Sequence, residues 1–73
     1  MVYLLKYNYQ KLRGRIKEIC GTQQEFASKI NCSERTLSHK LSGKIDWKQS
    51  EIVKAIEILE LTIHDIPVYF FTY

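Results

Sequence analysis

Thr22-Gln23-Gln24-Glu25-Phe26-Ala27-Ser28-Lys29-Ile30-Asn31, continued by Cys32-Ser33-Glu34-Arg35-Thr36-Leu37-Ser38-His39-Lys40-Leu41-Ser42-Gly43-Lys44, reads as two short helices and the turn between them. Thr22 and Glu25 have the spacing of a capping box, in which the hydroxyl accepts from the Glu25 amide and the carboxylate reaches back to the Thr22 amide. Phe26, Ala27 and Ile30 then supply one buried face. Asn31 stands where the chain must turn, and asparagine tolerates the left-handed conformation better than most residues. Ser33 offers a second N-cap and opens a helix that runs to about Ser42 and stops at Gly43. Its apolar stripe is thin, only Leu37 and Leu41. Glu34, Arg35, Thr36, Ser38, His39, Lys40 and Ser42 are all polar, so most of its circumference faces something other than core.

The flanks repeat the helical pattern. Asn8 can cap a first helix carrying Leu12, Ile16, Ile19 and Cys20 at helical spacing, and Gly21 ends it. A fourth helix is expected from about Lys48 to Leu59, with Ile52, Val53, Ile56 and Leu59 toward the core. Thr62 can cap a last short turn, Ile63 to Ile66, which Pro67 would terminate. The tail Val68-Tyr69-Phe70-Phe71-Thr72-Tyr73 and the head Val2-Tyr3-Leu4-Leu5 are β-prone, so a short sheet could join them or join two subunits. No repeat, low-complexity tract or linker interrupts the chain. The expectation is one domain over residues 1–73, all-α, with its helix-turn-helix at about 22–43.

Composition narrows the function. With 73 residues, of which 45% are hydrophobic and 26% charged, the chain suits one small globular core. A core of that size is marginal alone, and dimerisation would help it. The net charge of +3 is a mild bias, compatible with nucleic acid. Cys20 and Cys32 have no partners at zinc spacing and read as small, half-buried hydrophobes. No apolar run approaches the roughly 20 residues of a membrane span, and the start lacks the pattern of a signal peptide, which points to the cytosol. Catalysis would need a base, a nucleophile and a pocket, and phosphate chemistry a glycine-rich loop; no enzyme, metal or cofactor is expected. His64, beside Asp65, reads as a surface residue, and Trp47 as a packing residue that closes the loop after Gly43.

A polar helix held down by two leucines fits the major groove of DNA, about 12 Å wide. At about 100° per residue, Arg35, Ser38 and His39 point away from Leu37 and Leu41, with Glu34 at the N-terminal flank. These four are the candidate base readers: Arg35 toward guanine, Ser38 and His39 toward single acceptors, Glu34 toward a cytosine amino group. Thr22, Gln23 and Ser33 at helix starts, with Lys40 and Lys44 on the far side, are the candidate phosphate contacts, and Lys48 is a weaker one.

The segments Gly21-Thr22-Gln23-Gln24-Glu25-Phe26-Ala27, Ser33-Glu34-Arg35-Thr36-Leu37-Ser38 and Leu41-Ser42-Gly43-Lys44 resemble the helix-turn-helix of the lambda-repressor-like family of phage Cro and repressor proteins. Leu12-Arg13-Gly14-Arg15-Ile16-Lys17-Glu18 and the closing Tyr69-Phe70-Phe71-Thr72 resemble small phage-encoded Cro-like regulators. The similarity runs from about Asn8 to Thr72. It implies a compact five-helix domain and a sequence-specific repressor of double-stranded DNA. In it Glu34, Arg35, Ser38 and His39 match base-contacting positions, and Gln23 matches a phosphate-contacting one. Two positions depart from the family pattern: Asn31 where many relatives have glycine, and Lys48 where they often have a Thr or Ser cap, leaving Asp46 as a substitute.

One such module makes few contacts, so the reading extends to a homodimer on a pseudo-palindromic operator with half-sites about 34 Å apart. The aromatic residues Tyr3, Tyr7, Tyr9, Tyr69, Phe70, Phe71 and Tyr73 form either a satellite cluster where the two termini pack on the domain or that dimer interface, because exposed aromatics at chain ends are costly unless covered. No small-molecule ligand is expected. The rival reading is a protein-interaction module, an antirepressor or antitoxin-like partner, that keeps the fold without using DNA. Glu34 and the modest charge keep that rival open.

Overall fold

The computed structural model describes residues 7–73, and its helices begin and end where the backbone finds partners. They are α1 (Gln10–Cys20), α2 (Gln23–Lys29), α3 (Glu34–Leu41), α4 (Gln49–Ile58) and α5 (Ile66–Phe70), with one 3₁₀ turn, Ile63–Asp65, ahead of the last. Among the described residues the fold is all-α, five helices without a strand.

Starts follow the caps. Thr22 Oγ1 accepts from the Glu25 amide at 3.1 Å, and Ser33 Oγ accepts from the Thr36 amide at 3.0 Å. Only the forward half of the Thr22–Glu25 box forms. Asn8 Oδ1 accepts from the Gln10 amide at 2.9 Å, one residue ahead of the cap position at Tyr9. At α4 the cap position is Lys48, whose ammonium cannot accept a hydrogen bond. Glu51 supplies the missing half, its Oε1 accepting from the Lys48 amide at 2.8 Å. The helix therefore starts well without the Asp46 cap that the sequence suggested.

Three of the helices stop in one way. After α2 the Asn31 amide donates to Ser28 O and the Cys32 amide to Ala27 O, with Asn31 at φ 63°. After α3 Gly43 (φ 86°) donates to Lys40 O and Lys44 to His39 O. After α4 Glu60 (φ 58°) donates to Glu57 O and Leu61 to Ile56 O. These paired bonds are Schellman motifs, which satisfy the orphan carbonyls of a helix end but require a left-handed residue. Glycine and asparagine adopt that conformation readily; glutamate does so at a cost of about 1–2 kcal/mol.

Basic side chains complete the same task from a distance. Arg13 Nη2 donates to Leu41 O at 3.1 Å, at the end of α3. Arg15 Nε donates to Leu59 O at 2.9 Å and its Nη2 to Glu60 O at 3.4 Å, at the end of α4. Two cations of α1 thus sit on the negative ends of the two helices behind it.

The core joins Tyr9, Leu12 and Ile16 to Phe26, Ala27, Ile30, Leu37, Leu41, Ile52, Ala55, Ile56, Leu59 and Phe70. Phe26, Leu12, Leu37 and Leu59 are fully buried, each worth about 1.5–3 kcal/mol in apolar surface removed from water. Val53, expected in this core, is instead 53% exposed, because Ile52 and Ile56 occupy the inward line of α4.

The tail also departs from expectation. Ile66–Phe70 is helical, not β, and Pro67 lies in the first turn of α5, where its missing amide costs nothing, instead of ending a helix. The expected pairing of the head Val2–Leu5 lies outside the described residues. The two ends do meet through the Asn8 amide, which donates to Thr72 O.

Candidate functional site

Two surfaces are candidates: the polar side of α3 and the aromatic end where the N-terminal stretch meets α5.

On the first, Glu34, Arg35 and Ser38 are exposed and His39 is half-buried, so these four do share the outer side of α3. Thr22, Ser33 and Lys44 are exposed and Gln23 half-buried, although the Thr22 and Ser33 hydroxyls already serve as caps. Lys40 is not available to a phosphate. It is 2% exposed, and its Nζ donates to Glu51 Oε1 at 2.8 Å and to Asp46 O at 3.1 Å. It also lies 5.8 Å from the centroid of the Trp47 ring. The helical wheel explains this placement: Lys40 is adjacent to Leu41 and three residues after Leu37, on the edge of the buried stripe. Burial alone would raise the Glu51 carboxyl, but hydrogen bonds from Lys40 and from the Lys48 amide, with the charge of Lys40, outweigh it and hold that group below its ordinary value. Arg13, Arg15 and Lys40 thus serve the fold's own carbonyls and carboxylates, while Lys11, Lys17, Lys29, Arg35, Lys44, Lys48 and Lys54 are exposed and form no ion pair among the described residues.

The second surface is built by aromatic rings. Tyr7 packs edge-on against Phe71 at 5.3 Å between centroids, and lies tilted by 30° against Tyr73 at 5.0 Å. Trp47 meets Phe70 edge-on at 5.1 Å, and its Nε1 is buried with no acceptor among the described residues. Between these pairs lies a recess of about 270 Å³, walled by Tyr7, Tyr9, Trp47, Ile52, Phe70 and Phe71, with Asp46 as its one charged residue. Phe71 is also a wall of a second recess, about 330 Å³, formed with Gln49, Ile52, Val53 and Ile66. Val53, Val68, Phe71 and Tyr73 are all more than 40% exposed. Such an uncovered apolar surface marks a place for a partner.

Sequence reasoning singled out the aromatic ends, either as termini packed on the domain or as a dimer interface, and it did not place Val53, Ile66 or Asp46 beside them. The available signal was Val53 itself, one residue off the Ile52–Ile56 line.

The described chain is a small helical protein with apolar rings uncovered at one end. The family assignment is direct: the chain belongs to the family DUF739, described as a protein of unknown function, whose model matches residues 5–73. A solved structure of the modulator of repression (MOR) of the temperate bacteriophage TP901-1 from Lactococcus lactis is similar to it, with 52% sequence identity, a TM-score of 0.80, and 92% of this chain and 90% of that chain covered. No curated protein matches the chain.

These findings correct the reading drawn from the sequence. The family is DUF739, not the lambda-repressor-like Cro and repressor family, and the structural relative is titled a modulator of repression, not a repressor. The operator-binding function and the double-stranded DNA partner are therefore withdrawn, and with them the reason for reading Glu34, Arg35, Ser38 and His39 against bases. The homodimer expected to serve that operator is not shown either. The resemblance misled for a physical reason. Caps, a turn residue and two leucines specify a pair of packed helices, and base contact is not needed to make that pair fold. No helix of the described residues is long and apolar enough to cross a membrane.

Proposed function

We propose that this chain is a phage regulator of transcription that acts by binding a protein, a transcriptional repressor, and has no enzymatic role. The observation that carries the reading is its 52% identity, over 92% of its length, to a modulator of repression. The surface is consistent with it. Apolar side chains stand uncovered at the aromatic end. Uncovered rings favour a protein partner, since contact with another apolar surface removes them from water. The chain works inside the cell that carries the phage, where its partner acts.

The test is a gel-shift titration in which the repressor of the same phage is bound to its operator and the chain is added. The expected outcome is a concentration-dependent change in operator occupancy, with no shift of the operator by the chain alone. An unchanged repressor–operator band at saturating chain would refute the reading.

A further inference from the structure

We infer that the recess between Tyr7 and Trp47 is a seat for a cationic side chain, an arginine or a lysine, presented by the partner protein. The inference rests on the protein-partner reading and gives that contact its chemistry. Five of the walls are aromatic, and an aromatic face carries negative quadrupole charge that attracts a cation. The one charged group at the site is the Asp46 carboxylate, and among the described residues it takes part in no ion pair. An apolar anchor would leave that carboxylate without a partner, and an anion would be repelled by it. A cation uses both rings and charge.

Two neighbours support this polarity. Lys40 already sits against the Trp47 ring, so that ring receives a cation within the fold itself. Its charge does not oppose a second cation, because Glu51 lies 2.8 Å from Nζ and cancels it. The Tyr9 hydroxyl, on the same recess, is pushed above its ordinary value, first by burial and then by the negative charge of Asp46. The carboxylate's field is therefore felt at a ring of the recess. The adjoining space against Val53 and Ile66 has no charged wall. The two recesses share Phe71, so a partner segment with a cationic side chain beside an apolar one would fill both.

The probe is N-acetyl-arginine amide, with N-acetyl-citrulline amide as its neutral isostere, titrated into the full chain. The readout is the indole and ring signals of Trp47, the single tryptophan, and of Tyr9 by NMR. Saturable shifts are expected with the arginine compound, at least about tenfold weaker with citrulline and in Asp46→Asn, whose melting temperature should match the parent. Equal responses to the two compounds, or shifts confined to other parts of the molecule, would overturn the inference. Binding of the repressor separates the two readings. A repressor that binds parent and Asp46→Asn equally removes the cation seat but leaves the protein partner. A repressor that binds neither, while arginine still fills the recess, removes the partner reading instead.

Discussion

The outer side of α3 and the aromatic end of the molecule are both exposed, yet they are exposed in different ways. On α3 the exposed groups are polar and the apolar ones, Leu37 and Leu41, are buried, so water already satisfies that side. At the aromatic end Phe71, Tyr73 and Val53 remain uncovered while Asp46 has no ion-pair partner among the described residues. A solvated polar helix carries little information about function, because a helix held by a narrow stripe looks this way with or without a partner. Uncovered rings around a lone carboxylate carry more, because they leave unfavourable contacts with water that a partner would relieve.

Neighbouring residues make the contrast measurable. Phe70 is 1% exposed and Phe71 46%. Phe70→Ala should cost about 3–5 kcal/mol of stability in urea unfolding, as removal of a core phenylalanine does. Phe71→Ala should leave stability within about 0.5 kcal/mol and weaken repressor binding. If Phe71→Ala unfolded the chain as Phe70→Ala does, the aromatic end would be core and not interface.

Next in size is the pair behind α3. Lys40→Ala leaves Glu51 with only the Lys48 amide and the Asp46 carbonyl with no side-chain donor, at a cost of about 2–3 kcal/mol, whereas Lys44→Ala on the exposed side should be nearly silent. Equal effects would mean that Lys40 is not the buried partner described. The same pair sets an acid limit. The Glu51 carboxyl lies below its ordinary value of 4.5 in the folded chain. Its contribution is therefore present above pH 4.5 and is lost as pH falls through the lowered value. Glu51→Gln should flatten the decline of melting temperature below pH 4.5; an unchanged acid limb would contradict the ion pair.

Smaller effects belong to the helix ends. Thr22→Ala and Ser33→Ala should each cost about 1 kcal/mol in the same unfolding series. Glu60→Gly should stabilise by up to about 1 kcal/mol, the relief of about 1–2 kcal/mol of left-handed strain less about 0.5–1 kcal/mol for the extra backbone freedom glycine loses on folding. A destabilised Glu60→Gly would show that the side chain contributes a contact beyond its backbone.

The parts of the fold that could be read from sequence were those set by neighbours along the chain. Thr22, Ser33, Asn31 and Gly43 are local signals, and α1 to α4 appear where these place them. Pro67 was ambiguous because proline both ends helices and begins them, and only the preceding 3₁₀ turn shows which. Ring-rich Val68–Tyr73 favoured a strand by composition, but packing Phe70 into the core required a helix. Lys40 was misplaced because its partners, Glu51 and the Asp46 carbonyl, come together only through the loop between α3 and α4. The site was less legible than the fold. The polar face of α3 stood out in the sequence, whereas the recess depends on Tyr7, Asp46, Trp47 and Phe71, which are far apart in the chain.

Calorimetric titration of the chain against the repressor of its phage, beside an identical titration against operator duplex at low salt, bears most directly on the account. Saturable heat with the repressor and none with the duplex is the predicted pair of results. Heat with the duplex and none with the repressor would contradict it.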